Sequence, residues 1–451
     1  LIRRLCAIGA LGLALLLAGC GGGGGGSSTT STSSTGSSSS SGSGSSTTTT
    51  TPTLTNFTTV TVDGGPTALT TDPNGYIDDN VAFVSVTICA PGSTTNCQTI
   101  DHVQVDTGST GLRILASVIT PSLLAAMPTQ TDASSNPVGE CFGYVDGYTF
   151  GSVRQADFQI GGEKVSSLPF QAIGDTGVFS TVPSTCSSGG GSNLNTLLAL
   201  GSNGIIGLGV AATDCDSACA VAGGYAAAIY YDCPSTGCAS IIARAASTTA
   251  PFQQLPNPVV AMSVDNNGTI LSLPASPTAG EATMTGTLYF GIGTQTNNGL
   301  GSATVLTTTS STNPNGAGLI TVNFNNTVLD ESFLDSGSNL YVFSDSALPQ
   351  CTQSDYKDYY CPTNPVTLNL TLVGANQSST STSIVINNAE TFFDNNNAVV
   401  PGVGGSPAQF NQSSIYPKSF DLGLPFFYGR NVYTAIENQP AGGVTGPYFA
   451  Y

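Results

Sequence analysis

The sequence contains no tryptophan, one histidine and three methionines, and its 9 Lys and Arg face 27 Asp and Glu. That shortage of basic side chains, giving a formal net charge of -18, excludes nucleic acid as a partner, because phosphate binding depends on Lys and Arg displacing counterions. It also excludes docking on anionic lipid through a basic patch. The acidic surplus itself needs no explanation beyond solubility. With a lone His102 and no Ser or Cys beside it, a His-centred triad is not expected. His102 alternates with Gln104 and Asp106, which puts all three on one strand face, and we assign it a structural or surface role. Helical signals are scarce, confined to 122–127, 194–200 and 224–231, and no short repeat is visible, which excludes a solenoid or propeller.

What is abundant is Gly (55 residues), with Ser, Thr and Asn, a composition suited to short strands and polar turns. Strands are expected over 81–88, 102–105, 157–160, 259–264, 287–291 and 318–324, each closed by turn residues. The first two make a hairpin whose loop is bracketed by Cys89 and Cys97 and which leads into Asp106. A chain of 451 residues can form two cores, and we expect an all-β protein divided into 56–260 and 261–451.

The amino-terminal part reads differently. Arg3 and Arg4 precede an apolar run over 5–18, too short to span a bilayer comfortably, which reads as a secretory signal over 1–19. The run ends Leu17-Ala18-Gly19-Cys20, similar to a bacterial lipobox; that resemblance implies cleavage before Cys20 and acylation of its thiol. Residues 20–55 are Gly, Ser and Thr almost throughout, a flexible tether with a reach of roughly 30 to 35 Å. The expected location is therefore the cell envelope, lipid-anchored, at the outer membrane facing the periplasm or the exterior.

Cysteine usage agrees with export. Setting aside Cys6 and Cys20, ten remain: Cys89, Cys97, Cys141, Cys186, Cys215, Cys219, Cys233, Cys238, Cys351 and Cys361. In an oxidising compartment they read as five disulfides. The four from Cys215 to Cys238 admit three connectivities, and a zinc site is their rival, although the spacing suits zinc poorly. No metal or cofactor is expected.

One long-range echo carries chemistry. Val103-Gln104-Val105-Asp106-Thr107-Gly108-Ser109 is answered by Ser332-Phe333-Leu334-Asp335-Ser336-Gly337-Ser338. The D-[ST]-G core alone is weak, since about one copy is expected by chance in so Ser-, Thr- and Gly-rich a chain. Asp175-Thr176-Gly177 is read as that chance copy. The other two each have apolar residues before the Asp and a Ser after the Gly. Two carboxyls brought face to face can activate water and protonate a carbonyl, because like charges so close cannot both ionise.

These residues resemble the pepsin-like aspartic proteases. Tyr144-Val145-Asp146-Gly147 is similar to that family's flap hairpin, Asn203 to Gly209 to the segment beneath the first Asp loop, and Asp421 to Phe427 to its second counterpart. Thr287 to Gly291 is similar to the interdomain strand, and the likeness covers about residues 80 to 440. The chain also resembles an uncharacterised group of secreted bacterial proteins. The resemblance implies a bilobal fold with a pseudo-two-fold pair of β-rich lobes and few short helices. It implies Asp106 and Asp335 as catalytic residues, Thr107 and Ser336 bracing the two loops, and Ser109 and Ser338 on the outer carboxylate oxygens. Gly108 and Gly337 would admit the carboxylates, and Tyr144 would close over an extended peptide substrate. Two departures stand out. Arg113 replaces the family's common Trp, where it would bond Tyr144 and depress the dyad's pKa values, and Val145 narrows the cleft. The implied activity is an envelope-tethered, monomeric endopeptidase; the alternative is an inactive binding or assembly module of the same fold.

Overall fold

The computed structural model describes residues 55–71, 77–188, 191–215, 228–238, 240–241, 254–313, 316–393, 395–407 and 418–451. Cys20, the expected tether up to residue 54 and Cys219 lie outside them.

The described residues are mostly β. In chain order the strands are β1 (Phe57–Val62), β2 (Ala82–Cys89), β3 (Cys97–Asp106), β4 (Thr110–Leu115), β5 (Val138–Gly143), β6 (Gly147–Ile160), β7 (Glu163–Ile173), β8 (Ser192–Asn193), β9 (Gly204–Leu208), β10 (Ala228–Asp232) and β11 (Ser240–Ile241). They continue as β12 (Gly268–Leu273), β13 (Met284–Phe290), β14 (Val305–Thr307), β15 (Ile320–Phe324), β16 (Thr327–Leu334), β17 (Tyr341–Val342), β18 (Val366–Val373) and β19 (Ser379–Ile386). The last are β20 (Gly404–Gly405), β21 (Asp421–Leu422), β22 (Arg430–Ala435), β23 (Pro440–Ala441), β24 (Val444–Thr445) and β25 (Tyr448–Ala450). Helices are short, such as Pro121–Ala126 and Leu197–Leu200, close to two of the three expected positions.

Alternation makes these strands. In β18, Leu368, Leu370 and Leu372 are buried while Thr367 and Asn369 are exposed, the period of a sheet with one wet face. In β4 all six residues are buried, as suits a strand covered on both faces. One sheet of 16 strands runs from β11 through β10, β5, β6, β7, β4, β9, β3 and β2 to β1, then through β13, β12, β22 and β25 to β14, with β8 paired to β6 off this path. A second, of seven, has the order β19-β18-β15-β16-β21-β17-β20. The large sheet crosses the expected division at residue 260, because β1 pairs along its whole length with β13, Val60 opposite Gly286. The largest core cluster likewise mixes Val60 and Val105 with Leu288, Leu334 and Phe427.

Two expected elements are different. Residues 228–231, expected as the end of a helix, form β10, whose Ala228 to Asp232 pair with Phe142 to Val138; aromatic and β-branched residues at 229–231 fit a sheet. Residues 259–264 form turns in place of a strand, with Val260 N–H bonded to Asn257 O and Met262 N–H to Val259 O, which buries Val259 and Met262 together.

Candidate active site

Asp106 ends β3, and Asp335 follows β16 directly. Each lies in the same three-strand setting. β9 runs parallel to β3, with Val105 opposite Ile206, and antiparallel to β4. β21 runs parallel to β16, with Leu334 opposite Leu422, and antiparallel to β17. The echo seen in the sequence is therefore a duplicated arrangement of backbone, and it delivers both aspartates to one place.

How close they come is set by two glycines. A Cβ added to Gly108 would sit 2.6 Å from the Asp335 Cγ, and one added to Gly337 would sit 2.6 Å from Asp106 Oδ1. Only a residue without a side chain allows that approach. Asp106 Oδ1 accepts from Gly108 N–H (2.8 Å) and Ser109 N–H (3.1 Å), and Ser109 Oγ donates a short bond to Oδ2. Asp335 Oδ1 accepts from Gly337 N–H (2.7 Å), and Ser338 Oγ lies 2.9 Å from Oδ2. Burial, then the neighbouring Asp106, raises the Asp335 carboxyl to about 8.

Thr107 and Ser336 tie the loops together reciprocally. Thr107 N–H donates to Ser336 Oγ (3.1 Å) and Ser336 N–H to Thr107 Oγ1 (2.9 Å). Each hydroxyl then donates across to the other strand, Thr107 to Leu334 O (3.3 Å) and Ser336 to Val105 O (2.8 Å). Gln104 adds a bond from Nε2 to Gly337 O at 2.9 Å.

Above the carboxyls, β5 and β6 form a hairpin closed by the Tyr144 N–H to Gly147 O bond of 2.7 Å. Two hollows border Asp106, Asp335, Tyr144 and Val145. One of about 100 Å³ is lined by Leu194, Leu200, Ile205 and Leu340, and one of about 360 Å³ by Phe142, Val210, Leu319 and Phe449. The site is thus a cleft running to both sides of the carboxyl pair beneath the hairpin tip, with Val145 in its wall on both sides.

Arg113 does not bond Tyr144. It is fully buried and donates to Thr110 O (2.8 Å), Glu140 (2.6 Å) and Asp214 (2.9 Å), with its guanidinium 3.7 Å from the centre of the Phe142 ring. Tyr230 OH bonds Asp214 at 2.9 Å. Burial, then Glu140, pushes Asp214 well above the usual carboxylate range. The expected depression of the dyad is absent at Asp335, which burial and the neighbouring Asp106 raise, while the cation of Arg113 is engaged by Glu140 and Asp214.

Asp421, which in the sequence only opens the segment 421–427, is 1% exposed, lies in β21 and has Oδ2 2.7 Å from Ser338 Oγ. Its signal is an acidic residue between Phe420 and Leu422, where the matching stretch of β9 is wholly apolar. Asp175 is remote in role, bonded to Ser152 and paired with Arg154 at 2.8 Å. His102 leaves the face of Gln104. It has φ of 48° at a bulge in β3 and turns to Asp63 (3.4 Å) and Asp101 (3.0 Å). In the turn before β12, the Asp265 carboxyl accepts from Gln295 Nε2 at 2.5 Å.

Disulfides join Cys89 to Cys97, Cys141 to Cys186, Cys233 to Cys238 and Cys351 to Cys361, and Cys215 is also disulfide-bonded. Oxidised sulfur leaves no thiolate set for zinc in that cluster. Among the described residues no helix is long and apolar enough to cross a membrane.

No curated protein matches the sequence. A family model described as "Protein of unknown function (DUF3443)" matches residues 52–451, and the chain belongs to that family.

Proposed function

We propose that this member of the DUF3443 family is an aspartic endopeptidase with a two-lobed, pepsin-like fold. The observation that carries the reading is the carboxyl pair: two aspartates on duplicated loops, held together by reciprocal Thr107 and Ser336 bonds, approaching across Gly108 and Gly337 in the floor of a cleft. Asp335 holds the pair's proton and Asp106 is the base. Asp106 takes a proton from a water attacking the scissile carbonyl, while Asp335 gives its proton to the carbonyl oxygen. On collapse of the tetrahedral adduct the proton on Asp106 passes to the leaving nitrogen, and Asp335 recovers its own. The cleft extends to both sides of the pair, which suits an extended peptide, and the hairpin tip at Tyr144 and Val145 covers it.

Around this core we place the lobes at 56–260 and 261–451, with β1 of the first lobe paired into the second. Acylation of Cys20 would anchor a monomeric enzyme to the envelope through the tether.

The test is digestion of an unfolded protein from about pH 3 to 9 with wild type, Asp106→Asn and Asp335→Asn, with and without a statine-type inhibitor. Inhibitable cleavage is expected from the wild type and less than about one-thousandth of it from either variant. The rate falls as pH rises through about 8, where Asp335 loses its proton. Undiminished cleavage by Asp106→Asn would sink the reading.

A further inference from the structure

Asp421 breaks the likeness between the two copies of the site. Ile206 lies opposite Val105 and Leu422 opposite Leu334, so Ile205 and Asp421 hold the same preceding position. Each also pairs with the seventh residue after its aspartate, Arg113 in one copy and Val342 in the other. Where the first copy has an aliphatic side chain, the second has a buried carboxyl beside Ser338.

Proton counting shows what state that carboxyl is in. Ser338 Oγ lies 2.7 Å from Asp421 Oδ2 and 2.9 Å from Asp335 Oδ2. Two hydrogen bonds linking three oxygens require two protons. The hydroxyl supplies one, and the other has to belong to a carboxyl. An ionised Asp421 would be a buried anion whose Oδ1 has no hydrogen-bond partner, and no cation is paired with it among the described residues. The charged groups that bear on it are Asp335 and Asp106, both acidic. On the flanking strands its partners are Phe333 and Val342, and Tyr341 stands opposite Leu422. Asp335 has more to support a charge, with Gly337 N–H on Oδ1 and Ser338 on Oδ2.

We propose that Asp421 is a positioning residue that remains protonated, donates to Ser338 Oγ, and thereby commits the Ser338 proton to Asp335 Oδ2. Its effect on catalysis rests on the protease reading; the proton count does not. With Oδ2 of Asp335 receiving a donor, the pair's own proton is kept on Oδ1. The two carboxyls are in hydrogen-bond contact, and both Oδ1 atoms lie beside Gly337, so that proton sits between the two aspartates. Burial, ahead of both acidic neighbours, holds Asp421 well above the usual carboxylate range.

Two substitutions in the full chain separate the roles. Asp421→Asn retains a donor for Ser338 without an ionisable proton, and Asp421→Leu retains neither. Unfolding is followed from about pH 5 to 8, where an unfolded Asp is ionised and a protonated native one is not. The wild-type unfolding constant should rise about tenfold more per pH unit than that of either variant, because wild-type unfolding releases one further proton. The two variants are read separately, so one that folds poorly leaves the other to decide, and a slope equal to wild type overturns the proposal. In digestion at about pH 5, Asp421→Asn should keep kcat within about threefold of wild type, and Asp421→Leu should lose about tenfold with KM little changed. Equal losses in both overturn the orienting role. A wild type that digests nothing defeats the protease reading, and the unfolding slopes then decide the proposal alone.

Discussion

Arg113 shows how a residue can sit beside a site and serve the scaffold. Its guanidinium joins the Thr110 carbonyl, just after the Asp106 loop, to Glu140 in β5 and to Asp214 after β9, with the side chains of Arg113, Glu140 and Asp214 all out of contact with water. Arg113→Met would leave Glu140 and Asp214 buried without a cation, at a cost of about 3 to 5 kcal/mol. Denaturant titration should read that loss, and a change below about 1 kcal/mol would refute the structural role. Gly108→Ala is the converse case. Its Cβ would overlap the Asp335 carboxyl, so cleavage should vanish while the circular dichroism spectrum stays that of wild type. The aspartates were legible because the same four-residue loop occurs twice after apolar strands. Glu140 and Asp214 were not, being 27 and 101 residues from Arg113. Asp421 was hidden for another reason: a lone acid in an apolar run has meaning only once the register sets it against Ile205.

At the scale of elements, strands were readable where alternation and turn residues agreed, as in β2, β13 and β15. Reading failed where backbone conformation overrode alternation. The bulge in β3 places an extra residue opposite β2, between the pairs Val84–Val103 and Val86–Ile100, and the positive φ of His102 turns the ring out of sequence parity. That ring fastens β3 to Asp63, just beyond β1. The Asp63 hydrogen bond raises His102 above its usual value. The bond's contribution is therefore complete below about pH 6 and is lost as pH rises through the raised value. Relative to His102→Gln, the wild type should lose stability between about pH 6 and 8, and thermal unfolding of the two proteins over that range provides the check. A constant difference between them would exclude the link.

Over the whole molecule, the two halves meet through sheet pairing and through the crossed hydroxyls. β1 pairs across the boundary expected at residue 260, and its partner β13 lies more than 200 residues along the chain, a pairing that leaves no local trace. Ser336 is fully buried, and Ser336→Ala strips partners from Thr107 N–H and Val105 O, at about 1 to 3 kcal/mol for each buried group. Thr107→Val removes the other two bonds of the crossed set, from Ser336 N–H and to Leu334 O; because each loop is held by the other, the double substitution should cost clearly less than the two single costs combined. Additive losses in unfolding free energy would show that the hydroxyls do not act together. The exchange of Ile205 for Asp421 has a consequence of its own. A proton between two identical loops has two equivalent resting places, and a substrate would meet either arrangement with equal chance. An acid beneath one loop and an aliphatic side chain beneath the other lift that degeneracy. On the proposed protease reading, the cleft would acquire a direction, and a peptide would be productive in one polarity, amino end to carboxyl end, before any subsite had read its side chains.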